Sequence, residues 1–139
     1  MKTRRPTLHE IDELVSFLPR LYTEGFAPIR RWGGGTENRA GVLSMPWPDY
    51  DPVVEAFFRV ASSECWTDYD YNPESAGQLL EMDESVQSAD LDQIKTMLTY
   101  CVRGERFCSG HWEAMIESGN VRKLLQRLSE LRDSARRTT

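Results

Sequence analysis

The chain has 139 residues, of which 40% are hydrophobic and 28% charged, and its formal net charge is −5 at pH 7. The length suits a single globular domain spanning residues 1–139, and the composition is ordinary for such a protein. No apolar run approaches the roughly 18 residues of a membrane-spanning segment, which excludes such a helix. The charged first residues lack the apolar stretch of a secretory signal, and three cysteines cannot all pair, so we expect reduced thiols in a cytoplasmic protein.

The first predicted element is a helix that begins after Thr7. Thr7 and Glu10 have the spacing of a capping box, in which each side chain accepts a hydrogen bond from a backbone N–H of the first turn. Pro19 should kink or end this helix, because proline lacks an N–H and clashes with the preceding turn. The glycine-rich residues 25–48 follow, and within them residues 29–32 and 41–45 can pair as a small β-hairpin near residues 29–45.

Two further helix starts combine a capping residue with proline at the first helical position. They are Asp51-Pro52 and Asn72-Pro73, and this pairing is typical of helix N-termini. Asp90 is predicted to open a longer helix with an apolar stripe that includes Cys101.

The last part of the chain is predicted to contain two more helices. The helix from Asp90 should end at Gly104 in a left-handed conformation. Ser109 should cap a short helix closed by Gly119, and Asn120 should begin the last helix. These elements predict a mainly α, single-domain bundle of five or six helices. Its last three helices should pack as a unit, and residues 134–139 should be frayed.

Charge is unevenly distributed along the sequence. Residues 49–95 hold twelve Asp or Glu against two basic residues, whereas residues 120–139 hold six Lys or Arg against two acidic ones. This asymmetry permits internal pairing of the two regions or association of one copy with another. The acidic total opposes nucleic-acid binding, although the last helix is basic and follows a layout that loosely resembles a helix-turn-helix.

The run from Thr96 to Trp112 concentrates chemically versatile side chains. Two arginines close together can clamp a phosphate or carboxylate, with Glu105 orienting one of them. Cys108 has an arginine and a histidine nearby, which can lower the pKa of a thiol. The competing interpretation is a structural helix junction, and we favour it over a ligand site. The ligand-binding candidates are Arg103, Glu105, Arg106, Cys108, His111 and Trp112, and no catalytic residue is assigned.

Metal and cofactor binding are not predicted. Cys101, Cys108 and His111 lack the tight spacing of zinc knuckles. The acidic residues from Asp68 imitate half of a calcium loop, but the position that requires glycine is Pro73. We therefore expect no metal and no cofactor.

The aromatic residues beside the acidic segment suggest a protein interface. Trp66, Tyr69 and Tyr71 are residue types that often anchor partners. The leading functional hypothesis is a non-enzymatic interaction module that binds a protein. The alternatives are an anion or nucleotide site, possibly enzymatic, at Arg103–Trp112, and nucleic-acid binding through the basic last helix.

Several motifs together resemble an uncharacterised bacterial family, a domain of unknown function. They are Trp32-Gly33-Gly34, Met45-Pro46 with Tyr50, the segment from Asp68 to Tyr71, and above all Lys95–Trp112, continuing to Gly119 and the stretch from Leu124 to Leu128. The resemblance spans roughly residues 10 to 131. It implies no activity, so it transfers no catalytic role to any residue.

Overall fold

The computed structural model describes residues 3–35, 37, 39–42 and 46–137, and most of them are helical. The helices are α1 (Leu8–Val15), α2 (Phe17–Leu21), α3 (Pro52–Ala61), α4 (Pro73–Glu81), α5 (Asp83–Gln87), α6 (Leu91–Arg103), α7 (His111–Glu117) and α8 (Asn120–Arg137). Two short 3-10 turns, Glu64–Trp66 and Gly104–Arg106, and an antiparallel pair of strands, β1 (Ile29–Gly33) and β2 (Trp47–Tyr50), accompany them. The predicted mainly α fold with a small hairpin is confirmed, with more helical segments than the five or six expected.

The first helix begins as predicted and then breaks at Ser16. The Thr7 hydroxyl accepts the Glu10 N–H at 3.2 Å, and the Glu10 carboxylate accepts the Thr7 N–H at 2.9 Å. Pro19 has no N–H to donate to the Val15 carbonyl four residues earlier, and its ring crowds that carbonyl. Helix α1 therefore ends at Val15, and the chain restarts as α2.

The hairpin uses a different second strand from the one predicted. β1 pairs with β2 so that Ile29 lies opposite Tyr50 and Gly33 lies opposite Trp47. The expected pairing with residues 41–45 is wrong, because β2 begins at Trp47; residues 43–45 lie outside the described residues. Tyr50 is buried in the core, and this burial fixes the face and register of β2.

The two proline-containing helix starts are confirmed. The Asp51 carboxylate accepts the Val53 N–H at 2.9 Å, and the Asn72 side-chain oxygen accepts the Ser75 N–H at 2.9 Å. Helix α5 was not predicted from the sequence.

One hydrophobic core joins the helices. Helix α8 packs against α1, α5, α6 and α7, and α6 also contacts α3 and α7, so the last three helices form a unit as expected. The largest fully buried side chains include Trp66, Phe57, Phe58, Leu14, Met97, Leu98, Leu124 and Leu128. In the described part of the chain, none of the helices combines the length and apolar character needed to cross a membrane.

Two predicted details of the junction between α6 and α7 are wrong. Gly104 is right-handed, with φ −60°, and glycine is needed there because a Cβ would overlap the ring of His111. Ser109 does not cap α7; the N-cap is Gly110, whose φ of 91° lies in the left-handed region that favours glycine. Gly119 does have a positive φ, 87°, and α8 begins at Asn120 as predicted. Helix α8 extends to Arg137, and the fraying expected from residue 134 stays a prediction.

Candidate functional site

The turn between α6 and α7 folds back on itself. After Arg103, the backbone N–H groups of Phe107 and Cys108 both donate to the Gly104 carbonyl at 3.1 Å. The left-handed Gly110 then redirects the chain into α7. The six ligand-binding candidates, Arg103 to Trp112, therefore lie on this turn and on the two helix ends that it joins.

Glu105 is the hub of this turn. One carboxylate oxygen accepts the Tyr50 hydroxyl at 2.7 Å and the Trp112 N–H at 2.8 Å, and the other accepts the Gly110 N–H at 3.0 Å. Burial, followed by the hydrogen bond and charge of Glu105, raises the pKa of Tyr50, so the phenol stays a donor. Glu105 therefore ties the hairpin to the start of α7 and caps two free N–H groups of that helix.

His111 and Trp112 also face the protein's own backbone. The His111 Nε2 lies 3.3 Å from the Tyr100 carbonyl oxygen, and burial lowers the pKa of this imidazole. The Trp112 indole N–H donates to the Val102 carbonyl at 2.9 Å, and its ring stacks on Phe58 with centroids 4.5 Å apart. Both side chains satisfy carbonyls near the end of α6, which is the role expected of a helix-junction scaffold.

Arg106 and Cys108 lie outside this network, on the exposed part of the turn. The Cys108 thiol lies 3.9 Å from the Ser109 carbonyl oxygen. The His111 backbone N–H donates to the Cys108 carbonyl at 3.1 Å, but the described contacts of its imidazole ring are with Tyr100, Gly104 and Glu105 rather than with the thiol. The imidazole and the thiol therefore do not form a histidine–cysteine pair, and the use of Cys108 as a ligand-binding residue stays a prediction.

Arg103 connects the turn to the predicted partner-binding aromatics. Its guanidinium lies over the rings of Tyr69 and Tyr71, at 5.6 and 5.3 Å from their centroids. Tyr69 is 49% exposed, whereas Trp66 is only 1% exposed and belongs to the core. Trp66 is thus not a surface anchor in the folded protein, because the 3-10 turn at Glu64–Trp66 directs it inward.

Sequence reasoning missed two exposed aromatic side chains beside the same turn. Phe107 is 85% exposed and Trp32 is 51% exposed. The Trp32 ring lies over Gly110, within 3.4 Å of the place where a Cβ would stand. We name the aromatic–arginine surface as Trp32, Tyr69, Arg103, Arg106 and Phe107. Trp32 lies over Gly110 of the turn, and Tyr69 lies under the guanidinium of Arg103 at the end of α6. The packing of a large ring over Gly110 was not signalled by any local motif.

The remaining cysteines are buried. Burial raises the pKa of Cys65 to about 11 and that of Cys101 to about 12, so both stay protonated thiols. Within the described ranges, no three His, Cys, Asp or Glu side chains are grouped so as to hold a metal ion.

The basic side chains of α8 are largely engaged within the molecule. Lys123 pairs with Asp83 at 2.9 Å, and Arg127 donates to the Ala89 carbonyl at 2.9 Å. Arg132 binds Asp12 at 3.2 Å, and Arg122 lies over the ring of Tyr22. One ion pair, Lys123–Asp83, joins the basic region to the acidic region, whereas Arg132 pairs with Asp12, which lies outside the acidic region.

Comparison with known proteins assigns a family but no activity. A sequence profile described as a family of unknown function (DUF6508) matches residues 6–134. No curated protein matches the chain, and no solved structure matches it.

Proposed function

The chain belongs to the DUF6508 family, and we propose that it is a non-enzymatic interaction module that binds a protein partner through the aromatic–arginine surface. We further infer that it acts in a bacterial cytoplasm. Arginine and the large aromatic residues are enriched among the residues that dominate protein–protein binding energy.

The observation that carries this proposal is the exposure of Phe107. This ring is 85% exposed and therefore packs little against the core, although hydrogen bonds hold the backbone of the turn that carries it. Burying an exposed phenylalanine in an interface is worth about 1.5–3 kcal/mol. An anchor on a rigid turn also loses little conformational entropy on binding, which favours affinity.

The neighbouring side chains suggest the chemistry of the partner. Arg103 and Arg106 have no ion-pair partner among the described residues. Glu105 does not form an ion pair with either arginine, because its two oxygens accept hydrogen bonds from Tyr50, Gly110 and Trp112. The surface is therefore complementary to a segment that combines an apolar side chain with carboxylates.

The two alternative functions have weaker support. An anion site at Arg103–Trp112 needs its polar groups to face solvent, whereas those of Glu105, His111 and Trp112 bind the protein's own groups. Nucleic-acid binding needs free basic groups on α8, and Lys123, Arg127 and Arg132 already have partners. Both alternatives stay predictions, as does self-association.

Affinity purification with matched variants tests the proposal. The tagged wild type, Phe107→Ser and Arg106→Glu are compared with Met82→Ser, which replaces an exposed apolar residue (58% exposed) at the α4–α5 junction. We expect proteins recovered by the wild type and by Met82→Ser to be lost with Phe107→Ser. Their recovery should also fall with rising salt, because screening weakens the arginine–carboxylate attraction.

Sedimentation velocity on the same variants separates a foreign partner from a second copy of the chain. A dimer that Phe107→Ser dissociates would identify the partner as another copy. Equal recovery of every protein by the wild type and Phe107→Ser, with both monomeric, would remove the support for this surface.

A further inference from the structure

A buried cation on α6, away from the aromatic–arginine surface, has no counter-charge among the described residues. Lys95 is only 5% exposed. Its ammonium donates to the Thr3 hydroxyl and, at 3.4 Å, to the Arg4 carbonyl. An ammonium has three N–H donors, so two partners do not satisfy it.

No carboxylate of the described residues lies within ion-pair distance of Lys95. Glu10, in the same neighbourhood, is held by Arg4 through both oxygens at 2.6 Å. Burying an unpaired charge costs several kcal/mol, which is why buried charges are almost always paired. The uncompensated ammonium is therefore a candidate contact for an anion.

Lys95 lines two adjoining clefts that share Thr3, Asp92 and Lys95. Their volumes are about 260 and 320 Å³. The first is lined largely by apolar atoms and includes Leu79, Thr67 and Thr96. These volumes lie near or below the low end for drug-sized ligands, which suits a small metabolite rather than a nucleotide.

The first cleft also contains an acidic group of complementary charge. The Asp68 carboxylate accepts the Thr96 hydroxyl and, at 3.0 Å, the Asp70 N–H. Among the described residues, no lysine, arginine or histidine forms an ion pair with Asp68. Lys95 and Asp68 therefore line the same partly apolar cleft, and neither has a charged partner among the described residues.

We propose that this cleft binds a small zwitterion of the α-amino acid class. The ligand carboxylate pairs with Lys95, the ligand ammonium pairs with Asp68, and an aliphatic side chain contacts Leu79. A simple anion would be repelled by Asp68, and a simple cation would be repelled by Lys95. A molecule that carries both charges can pair with Lys95 and Asp68 at the same time.

Chemical-shift mapping with the individual L-amino acids tests the proposal. Each is added at about 10 mM, which exceeds the millimolar Kd of a weak small-molecule site, with propionate and propylamine as singly charged probes. We expect an aliphatic amino acid to shift resonances of Thr67, Thr96 and Lys95, and to bind more tightly than either singly charged probe. Lys95→Met should weaken this binding at least tenfold, about 1.4 kcal/mol.

Two further variants make the outcome decisive. Lys123→Met is the matched control: it removes a partly buried lysine that has a carboxylate partner, Asp83, and it should leave binding unchanged. Asp68→Asn preserves the oxygen that accepts the Thr96 hydroxyl but removes the charge, so it decides the question if Lys95→Met fails to fold. The proposal is overturned if no amino acid shifts these resonances, or if binding persists in both Lys95→Met and Asp68→Asn, or in Asp68→Asn alone where Lys95→Met does not fold.

Discussion

The Tyr50 hydroxyl donates to the Glu105 carboxylate at 2.7 Å, and this bond joins the end of the hairpin to the junction of α6 and α7. Tyr50 is buried, and its ring also lies 5.1 Å from that of Trp112. The residues connected by this bond are 55 positions apart in the chain. The segment from Arg103 to Trp112, which the sequence marked as the candidate ligand site, is thus held in place by Tyr50 of the distant strand β2.

Glu105→Ala should destabilise the protein by about 2–4 kcal/mol, because it leaves the Tyr50, Gly110 and Trp112 donors without their acceptor. Chemical denaturation measures this change in the free energy of unfolding. Arg106→Ala, one residue further on and exposed, is the control and should stay within about 0.5 kcal/mol of the wild type. A similar stability for both variants would contradict a scaffold role for Glu105.

Gly104→Ala should destabilise the protein by about 1–3 kcal/mol through steric overlap with the ring of His111. The backbone at Gly104 is right-handed, so alanine adds no conformational strain there. The same substitution in a His111→Ala background should therefore cost less, since the obstructing ring is gone. Additive effects in this double-mutant cycle would show that the cost arises elsewhere.

Local signals in the sequence were sufficient for the starts of α1, α3 and α4. Thr7, Asp51 and Asn72 act through atoms two or three residues away, so their spacing alone identifies them. Gly104 was misjudged because a glycine after a helix usually marks a left-handed turn, whereas here the requirement comes from His111 seven residues later.

The site was only partly accessible from the sequence for a related reason. Lys95 looks like a solvated lysine, and its burial depends on Thr3, 92 residues earlier. A weak local signal exists: Thr99 lies one helical turn after Lys95, and its hydroxyl donates to the Lys95 carbonyl. This polar pair interrupts an otherwise apolar buried face of α6, but only the tertiary fold reveals what faces it.

Thiol labelling of the native protein should modify one cysteine of three. Cys108 is exposed, whereas Cys65 and Cys101 are buried with raised pKa values. A thiol reagent should therefore react once under native conditions and three times in denaturant. Cys108→Ser should abolish the native reaction, and fast labelling that persists in this variant would contradict the burial of the other two.

The two aromatic residues Trp66 and Phe107 should differ sharply in their contribution to stability. Trp66→Ala should cost about 3–5 kcal/mol, because it removes a fully buried ring. Phe107→Ala should change the free energy of unfolding by no more than about 0.5 kcal/mol. Thermal and chemical denaturation check both values. A large loss with Phe107→Ala would mean that this ring packs within the protein and is not available to a partner.

His111 should make the protein less stable below neutral pH. Burial lowers the pKa of His111 from its ordinary value of 6.5, so the unfolded chain binds a proton before the folded protein does. The contribution of this group is fully present above about pH 6.5 and is lost as the pH falls toward the folded-state pKa, with a slope of at most about 1.4 kcal/mol per pH unit. The pKa of Glu10 is also lowered, mainly by its hydrogen bond from Arg4, so this group changes stability only below its ordinary pKa of 4.5. It therefore does not contribute to the slope at about pH 6.

Denaturation at several pH values between about 7.5 and 5 measures the slope that this linkage predicts. His111→Gln keeps an amide that can donate to the Tyr100 carbonyl but does not titrate, so its profile should be flatter over this range. The chain's other histidine, His9, is exposed, and His9→Gln should retain the wild-type slope. If His9→Gln flattens the profile and His111→Gln does not, the burial of His111 in the junction is not what links stability to pH.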